Sequence, residues 1–267
     1  MNKTLQILNL IAAVITIAMG YASNTGIFNG NTMGDVSAQY QNLFTPAGYA
    51  FSIWGIIYLG LLGFAIYYGR SLFTSQKQSD AVIQQVGWWF IISCIANSLW
   101  VIAWPYDYTL LSVFFMVILL FSLLKIVVNT KMELHDAPLK KFIFLWWPFC
   151  LYSGWVAVAL IANVAAYLTK IGWDGFGLSD TFWAVTMIAI AGIVNIFMIW
   201  NRNMREFGLV GVWSLIAIAV SNKDGNAVVF WAAIITAIIV FINIAIHGYQ
   251  NRKSNPFLQV NRNKTSF

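Results

Sequence analysis

Charge is scarce in this chain. Charged residues make up 9% of its 267 positions, against about a quarter in an ordinary soluble domain. A chain so poor in charge cannot supply the polar surface of a water-soluble globule. The two cysteines, Cys94 and Cys150, both fall inside apolar stretches. That excludes a disulfide framework and reads as two small buried hydrophobes. The only histidines are His135, in a loop, and His247, at the end of an apolar run. The sequence therefore singles out no metal ligands, and di-iron desaturases and membrane metalloproteases, which need His and carboxylate clusters, lose support. No Asp, Glu, Lys or Arg lies near the centre of any apolar run. Intramembrane ionisable groups mark proton relays, ion sites and retinal linkages, so a proton-coupled transporter of the usual kind and a retinal protein are disfavoured. No segment reads as a low-complexity linker or as a soluble domain able to fold alone.

What is present in abundance is apolar: 60% hydrophobic residues and a mean hydropathy of +0.73. A bilayer core requires about 20 consecutive apolar residues per helix. Eight stretches qualify, near 5–22, 48–69, 83–104, 109–128, 142–168, 181–200, 207–221 and 227–248, the seventh being short. The expected fold class is all-α, a polytopic integral membrane helix bundle of about eight transmembrane helices. Cationic loops stay cytoplasmic. With eight spans and an internal N-terminus, thirteen of the fifteen Lys and Arg residues fall inside, and only Lys170 and Lys223 fall outside. The pI of about 9.3 thus reflects topology, and no nucleic-acid partner is expected. Both termini are expected in the cytoplasm, with the protein in a bacterial inner membrane. The first span also carries the small-residue Gly-Tyr-Ala pattern of a signal cleavage site before Ser23, and is read here as a retained helix. The tail, 249–267, is polar and expected to be disordered. The Asn-x-Thr sequons at Asn2 and Asn263 face the cytoplasm in this topology, where glycosylation does not occur.

The chemistry left is aromatic and amide. Trp54 and Tyr58 are four apart in span two; Asn97, Trp100 and Trp104 are spaced three and four in span three; Trp155, Ala159 and Asn163 are spaced by four in span five. Each set shares one helical face. At 1.5 Å per residue, Trp54, Asn97, Trp100 and Asn163 lie roughly 6–10 Å inside the outer boundary, with Trp155 deeper. Three faces at matched depth can line one outward-facing cavity. Trp88, Trp89, Trp104, Trp146, Trp147 and Trp200 read instead as an interfacial belt. Asn195 and Asn243, at equal depth in spans six and eight, are expected to bond each other.

These residues resemble a known family. Thr45-Pro-Ala-Gly-Tyr-Ala-Phe-Ser-Ile-Trp-Gly-Ile-Ile-Tyr58 is similar to the proline loop and second helix of the tryptophan-rich sensory proteins, the TspO/MBR or translocator protein family. Ala96-Asn-Ser-Leu-Trp100 resembles that family's third helix, and Trp155-x-x-x-Ala159-x-x-x-Asn163 its fifth. The resemblance covers about residues 1–170. It implies a TspO-like five-helix transmembrane unit over 1–170, followed by a three-helix extension over 171–248 and the tail over 249–267. It also implies a hydrophobic pocket lined by Trp54, Tyr58, Asn97, Trp100, Trp155, Ala159 and Asn163, roofed by the 23–47 loop with Phe44, Pro46 and Tyr49. The chain departs from the family pattern in Asn42-Leu-Phe-Thr-Pro46-Ala, which has one proline and no tryptophan. Val164-x-x-Tyr167-x-x-Lys170 fits a loose sterol-recognition pattern, and reads more simply as an interfacial tyrosine beside a flanking lysine.

The functional expectation is a receptor or sensor that binds a flat hydrophobic ligand, tetrapyrrole-like or sterol-like, in an outward-facing tryptophan-lined pocket. Porphyrin or haem enters as ligand; no cofactor is required. The expected partners are that hydrophobic small molecule, membrane lipids and, by the family resemblance, a second copy in a homodimer. The alternative is a transporter or channel for a small neutral or lipid-like solute, built partly by spans six to eight. Tetrapyrrole degradation rests on the resemblance alone, since no residue stands out as acid or base.

Overall fold

A computed structural model describes residues 3–72 and 77–252; the expected tail beyond 252 and both sequons lie outside the described residues. Helices carry almost all the backbone, because apolar stretches of this length can satisfy their N–H and C=O groups in lipid only by internal hydrogen bonds. The first is α1 (Lys3–Ala22), followed by the short loop helix α2 (Met33–Gln39). A 3-10 turn, Gly48–Ser52, then leads into α3 (Ile53–Gly69). The next helices are α4 (Lys77–Val86), α5 (Trp89–Ala103) and α6 (Thr109–Asn129). A single turn, α7 (Leu139–Lys141), and a π turn, Phe142–Trp146, lead into α8 (Trp147–Lys170). The chain ends in α9 (Asp180–Arg202), α10 (Arg205–Asn222) and α11 (Ala227–Gln250).

All eight expected stretches are helical. Six are long and apolar enough to cross a membrane: Lys3–Ala22, Gly48–Gly69, Thr109–Asn129, Leu139–Lys170, Asp180–Arg202 and Ala227–Gln250. The third stretch differs from the expected continuous 83–104. It breaks where Gly87 turns to φ +57°, which separates the polar α4 from the apolar α5. The seventh, α10, has 18 residues and starts on two charged ones, Arg205 and Glu206.

The helices form two groups. Five close a ring in the packing order α1, α3, α8, α6 and α5, with α5 returning to α1. Its core holds Ile57, Leu61, Phe64, Phe90, Met116, Leu119, Tyr152 and Trp155. The second group, α9, α10 and α11, packs around Ile188, Ile199, Leu215, Ile218, Ala233 and Val240. The groups join where α10 lies on α8. A methyl group at Gly154 would come within 3.2 Å of the Cα and carbonyl oxygen of Phe207, so the backbones touch as small residues permit in membrane bundles. Residues such as Leu59, Phe114, Val128, Ile193 and Ile238 are exposed around the outside, the pattern of a surface solvated by lipid.

Two sequence readings are corrected by the packing. Trp104 and Trp146 are 6% and 0% exposed, so they belong to the interior and not to a belt; Trp88 and Trp200 are exposed, as a belt requires. Asn195 and Asn243 do not bond each other. Asn195 donates to its own helix at Ala191 O (2.8 Å), while Asn243 donates to Ile239 O and accepts from Trp200 Nε1 (2.8 Å). Equal depth does not fix rotation about a helix axis.

Candidate functional site

The aromatic faces converge inside the five-helix ring. Trp54 of α3 stacks on Tyr58 (5.4 Å, 27°) and lies 5.5 Å from Trp100 of α5. Tyr152 and Trp155 of α8 present their edges to it at 5.8 and 6.4 Å. The i, i+4 spacing that places Trp54 over Tyr58 follows from helix geometry alone. Phe51, from the turn before α3, meets Trp155 edge-on at 6.0 Å.

Amides sit between the rings. The Tyr58 hydroxyl donates to Asn97 Oδ1 at 3.4 Å. Trp100 Nε1 donates to Asn163 Oδ1 (2.9 Å), and Asn163 Nδ2 donates to Ser112 Oγ (2.8 Å), which donates in turn to Thr109 O. That relay ties α5, α8 and α6 together. Among the buried donors of the site, Trp155 Nε1 has no partner, while Asn97 Nδ2 and the Tyr152 hydroxyl face each other without a hydrogen bond of regular geometry. Leaving such a group unmatched costs about 1–3 kcal/mol.

Two small voids flank these rings. One, of about 40 Å³, is bordered by Ser37, Thr45, Pro46, Trp104, Trp155 and Ala159, and also by Asn163. The other, about 30 Å³, is bordered by Gly20, Met33, Trp54 and Tyr58. Phe51 and Trp100 border both and form a partition. A ligand pocket usually measures about 300–1,000 Å³, so the site as it stands is closed.

The roof is built from the 23–47 loop. Its helix α2 starts on a capping box, Thr32 Oγ1 accepting from Asp35 N and Asp35 Oδ2 from Thr32 N. Those hydrogen bonds from Thr32 hold the Asp35 carboxyl below its ordinary pKa. Asn29 and Asn31 donate to Pro105 O at 3.1 and 3.2 Å, and Trp104 Nε1 donates to Met33 O at 3.1 Å. Tyr40 donates to Asp107 Oδ2 (3.0 Å), which is paired with Lys170 at 2.7 Å. Burial first, and the Asp107 carboxylate second, push the Tyr40 phenol above its ordinary pKa, so it stays a donor. Lys170 of the sterol-like pattern is thus committed to Asp107.

The far edge of the roof rests on the second helix group. Phe44 is 3% exposed and packs with Val158, Leu215 and Ile218. Tyr49 meets Trp213 edge-on at 5.1 Å. Asn222 Nδ2 donates to Leu43 O (3.0 Å), Ala47 N to Ala217 O (3.0 Å) and Trp213 Nε1 to Ala50 O (3.3 Å). Of the three roof residues singled out from sequence, Pro46 borders the void, while Phe44 and Tyr49 face α10. Asn222→Ala leaves the Leu43 carbonyl without this donor, at a cost of about 1–3 kcal/mol. The expected result is hydrogen exchange about tenfold faster across residues 40–47. Unchanged exchange would mean that packing alone holds the roof.

Sequence reasoning missed Phe51 and Tyr152 as neighbours of the site, and read Trp104, though on the same face as Trp100, as part of the belt. Tyr152 lies three residues before Trp155, a spacing that puts both on one face; that was the available signal. Outside the five-helix ring, a groove of about 770 Å³ runs between α8 and α9 beneath residues 41–44, bordered by Leu43, Phe44, Ile161, Trp173, Trp183 and Asn222.

Residues 6–246 match the family model described as TSPO-like protein. No curated protein and no solved structure matches the chain. The matched range starts within α1 and ends within α11, covering both helix groups. With six membrane-competent helices among the described residues and a family match over most of its length, the chain is an integral membrane protein that belongs to the TSPO-like protein family.

Proposed function

We propose that this protein is a membrane sensor that takes a flat hydrophobic molecule, tetrapyrrole-like or sterol-like, between the rings of Trp54, Tyr58, Trp100 and Trp155 beneath the 23–47 roof. The observation that carries this reading is the cluster of aromatic faces around Trp54, in which Trp155 Nε1 has no partner and Asn97 Nδ2 and Tyr152 Oη meet only each other. Indole faces stack on a planar ring, and these poorly matched donors suit a ring whose edge carries carbonyl or carboxylate oxygens. Ala159 and Asn163 border the void where such a ring enters. Binding requires the roof to lift and the Phe51–Trp100 partition to turn, because 40 and 30 Å³ hold only a few waters. Charge bias orients the roof outward, with both termini in the cytoplasm of a bacterial inner membrane.

Titrating the detergent-solubilised protein with protoporphyrin and following tryptophan fluorescence quenching tests the reading. Trp54→Ala is expected to weaken binding about tenfold or more, the equivalent of about 1.4 kcal/mol or above. Wild-type affinity in both Trp54→Ala and Trp155→Ala overturns the assignment.

The 770 Å³ groove favours a second reading, a transporter for a small neutral or lipid-like solute passing between the two helix groups. Reconstituted liposomes decide between them: a binding protein gives no flux above empty vesicles.

A further inference from the structure

At the end of the bundle opposite the roof, three segments distant in sequence bring soft and hard donors together. The loop after α6 supplies Glu133, α8 supplies Cys150 and the first turn of α10 supplies Glu206; their ligand atoms all lie within 4.8 Å of one another. Met132 adds a thioether sulfur 3.7 Å from the Cys150 thiol. Glu133 is 7% exposed, Cys150 and Met132 are 0% exposed and Glu206 is half-buried, so water reaches the cluster only from the Glu206 side. Glu133 Oε1 and Glu206 Oε2 have no hydrogen-bond partner, although the Glu206 carboxylate also accepts from Trp147 and from its own backbone N–H; among the described residues neither carboxylate takes part in an ion pair. Glu133 is held inward by its left-handed backbone (φ 61°) and by Asn203 Nδ2, which donates to its carbonyl at 2.9 Å.

We propose that Glu133, Cys150 and Glu206 form a binding site for a zinc-class divalent cation, with Met132 as a neighbouring soft donor, joining the five-helix ring to α10. A thiolate beside two carboxylates suits zinc; magnesium and calcium prefer all-oxygen sites. Zinc bonds of 2.0–2.3 Å place tetrahedral ligands about 3.5 Å apart, so the three side chains close on an ion by moving about 1 Å. Two carboxylates and a thiolate around a dication leave one net negative charge. Arg202 acts electrostatically on Cys150, and Arg205 on both glutamates, which supplies the countercharge. The Cys150 proton, and any carboxyl proton, pass to solvent as the ion enters.

Cobalt(II) added to the chelator-treated full-length protein in detergent provides the test. Wild type and Cys94→Ser are expected to show the near-ultraviolet thiolate-to-cobalt charge-transfer band at one ion per chain, and zinc is expected to abolish it. Cys150→Ser should lose the band. Glu133→Gln should weaken cobalt binding by at least about tenfold, since even outer-shell losses cost 10–100-fold. Absence of the band in wild type, or its persistence in Cys150→Ser, overturns the site. Zinc displacement is read on the wild-type protein, so the proposal stays testable if a variant misfolds.

Discussion

Trp155→Ala is expected to destabilise the bundle by about 3–5 kcal/mol and to weaken protoporphyrin binding at least tenfold. The indole is 2% exposed and meets both Trp54 and Phe51. Its removal opens a void beside one that already measures about 40 Å³, leaving few atoms able to collapse inward. One term opposes this: the unmatched Nε1–H disappears, returning about 1–3 kcal/mol. The loss of packing is the larger effect. Trp155→Phe goes part way to separating the two, because it keeps a ring and most of the volume while deleting the donor. It should cost less than about 1.5 kcal/mol in stability while still weakening a ligand that uses the N–H. Thermal unfolding in detergent and the quenching titration measure the two quantities. If Trp155→Ala unfolds at the wild-type temperature, the ring is not part of the packed core.

The second large effect is expected at Gly20. A methyl group there would sit 2.3–2.4 Å from the hydroxyl and ring carbons of Tyr58. Tyr58 cannot yield freely, since it is stacked on Trp54 and bonded to Asn97. Gly20→Ala should therefore cost about 1–3 kcal/mol as overpacking and displace Tyr58 from its stack on Trp54. Tyr58→Ala removes the clash. The double variant should be no less stable than Tyr58→Ala alone, which gives a coupling energy of about the full Gly20→Ala penalty. Additive costs would show that α1 and α3 do not meet at this point.

The reach of the sequence differs from one feature to another for physical reasons. Hydropathy located the long apolar helices, because lipid demands the same run from each span, but not the short or polar α2, α4 and α7. It overlooked the break at Gly87, since one glycine within an apolar window leaves the average unchanged. The i, i+4 pairs Trp54/Tyr58 and Trp155/Ala159/Asn163 were legible as faces, and the structure brings those faces together. Which way the roof residues point was not legible: Pro46 and Phe44 are two apart, yet one borders the void and the other packs on α10. Nothing local encodes that choice, which depends on where α10 lies. The Glu133, Cys150 and Glu206 cluster escaped for the same reason, having three residues on three segments and no motif spacing.

The helix α10 spans 18 residues, about 27 Å at 1.5 Å per residue. Its last two turns receive the roof through Ala217 and Asn222, and its first turn carries Glu206. A helix packed on three sides behaves as a rod. A guest that raises the roof must break those bonds or tilt the rod, and a tilt at one end is a displacement at the other. The protein thus has a mechanical line from the 23–47 loop to the opposite end of the helix bundle. A displacement at one end of α10 is thereby coupled to the other end.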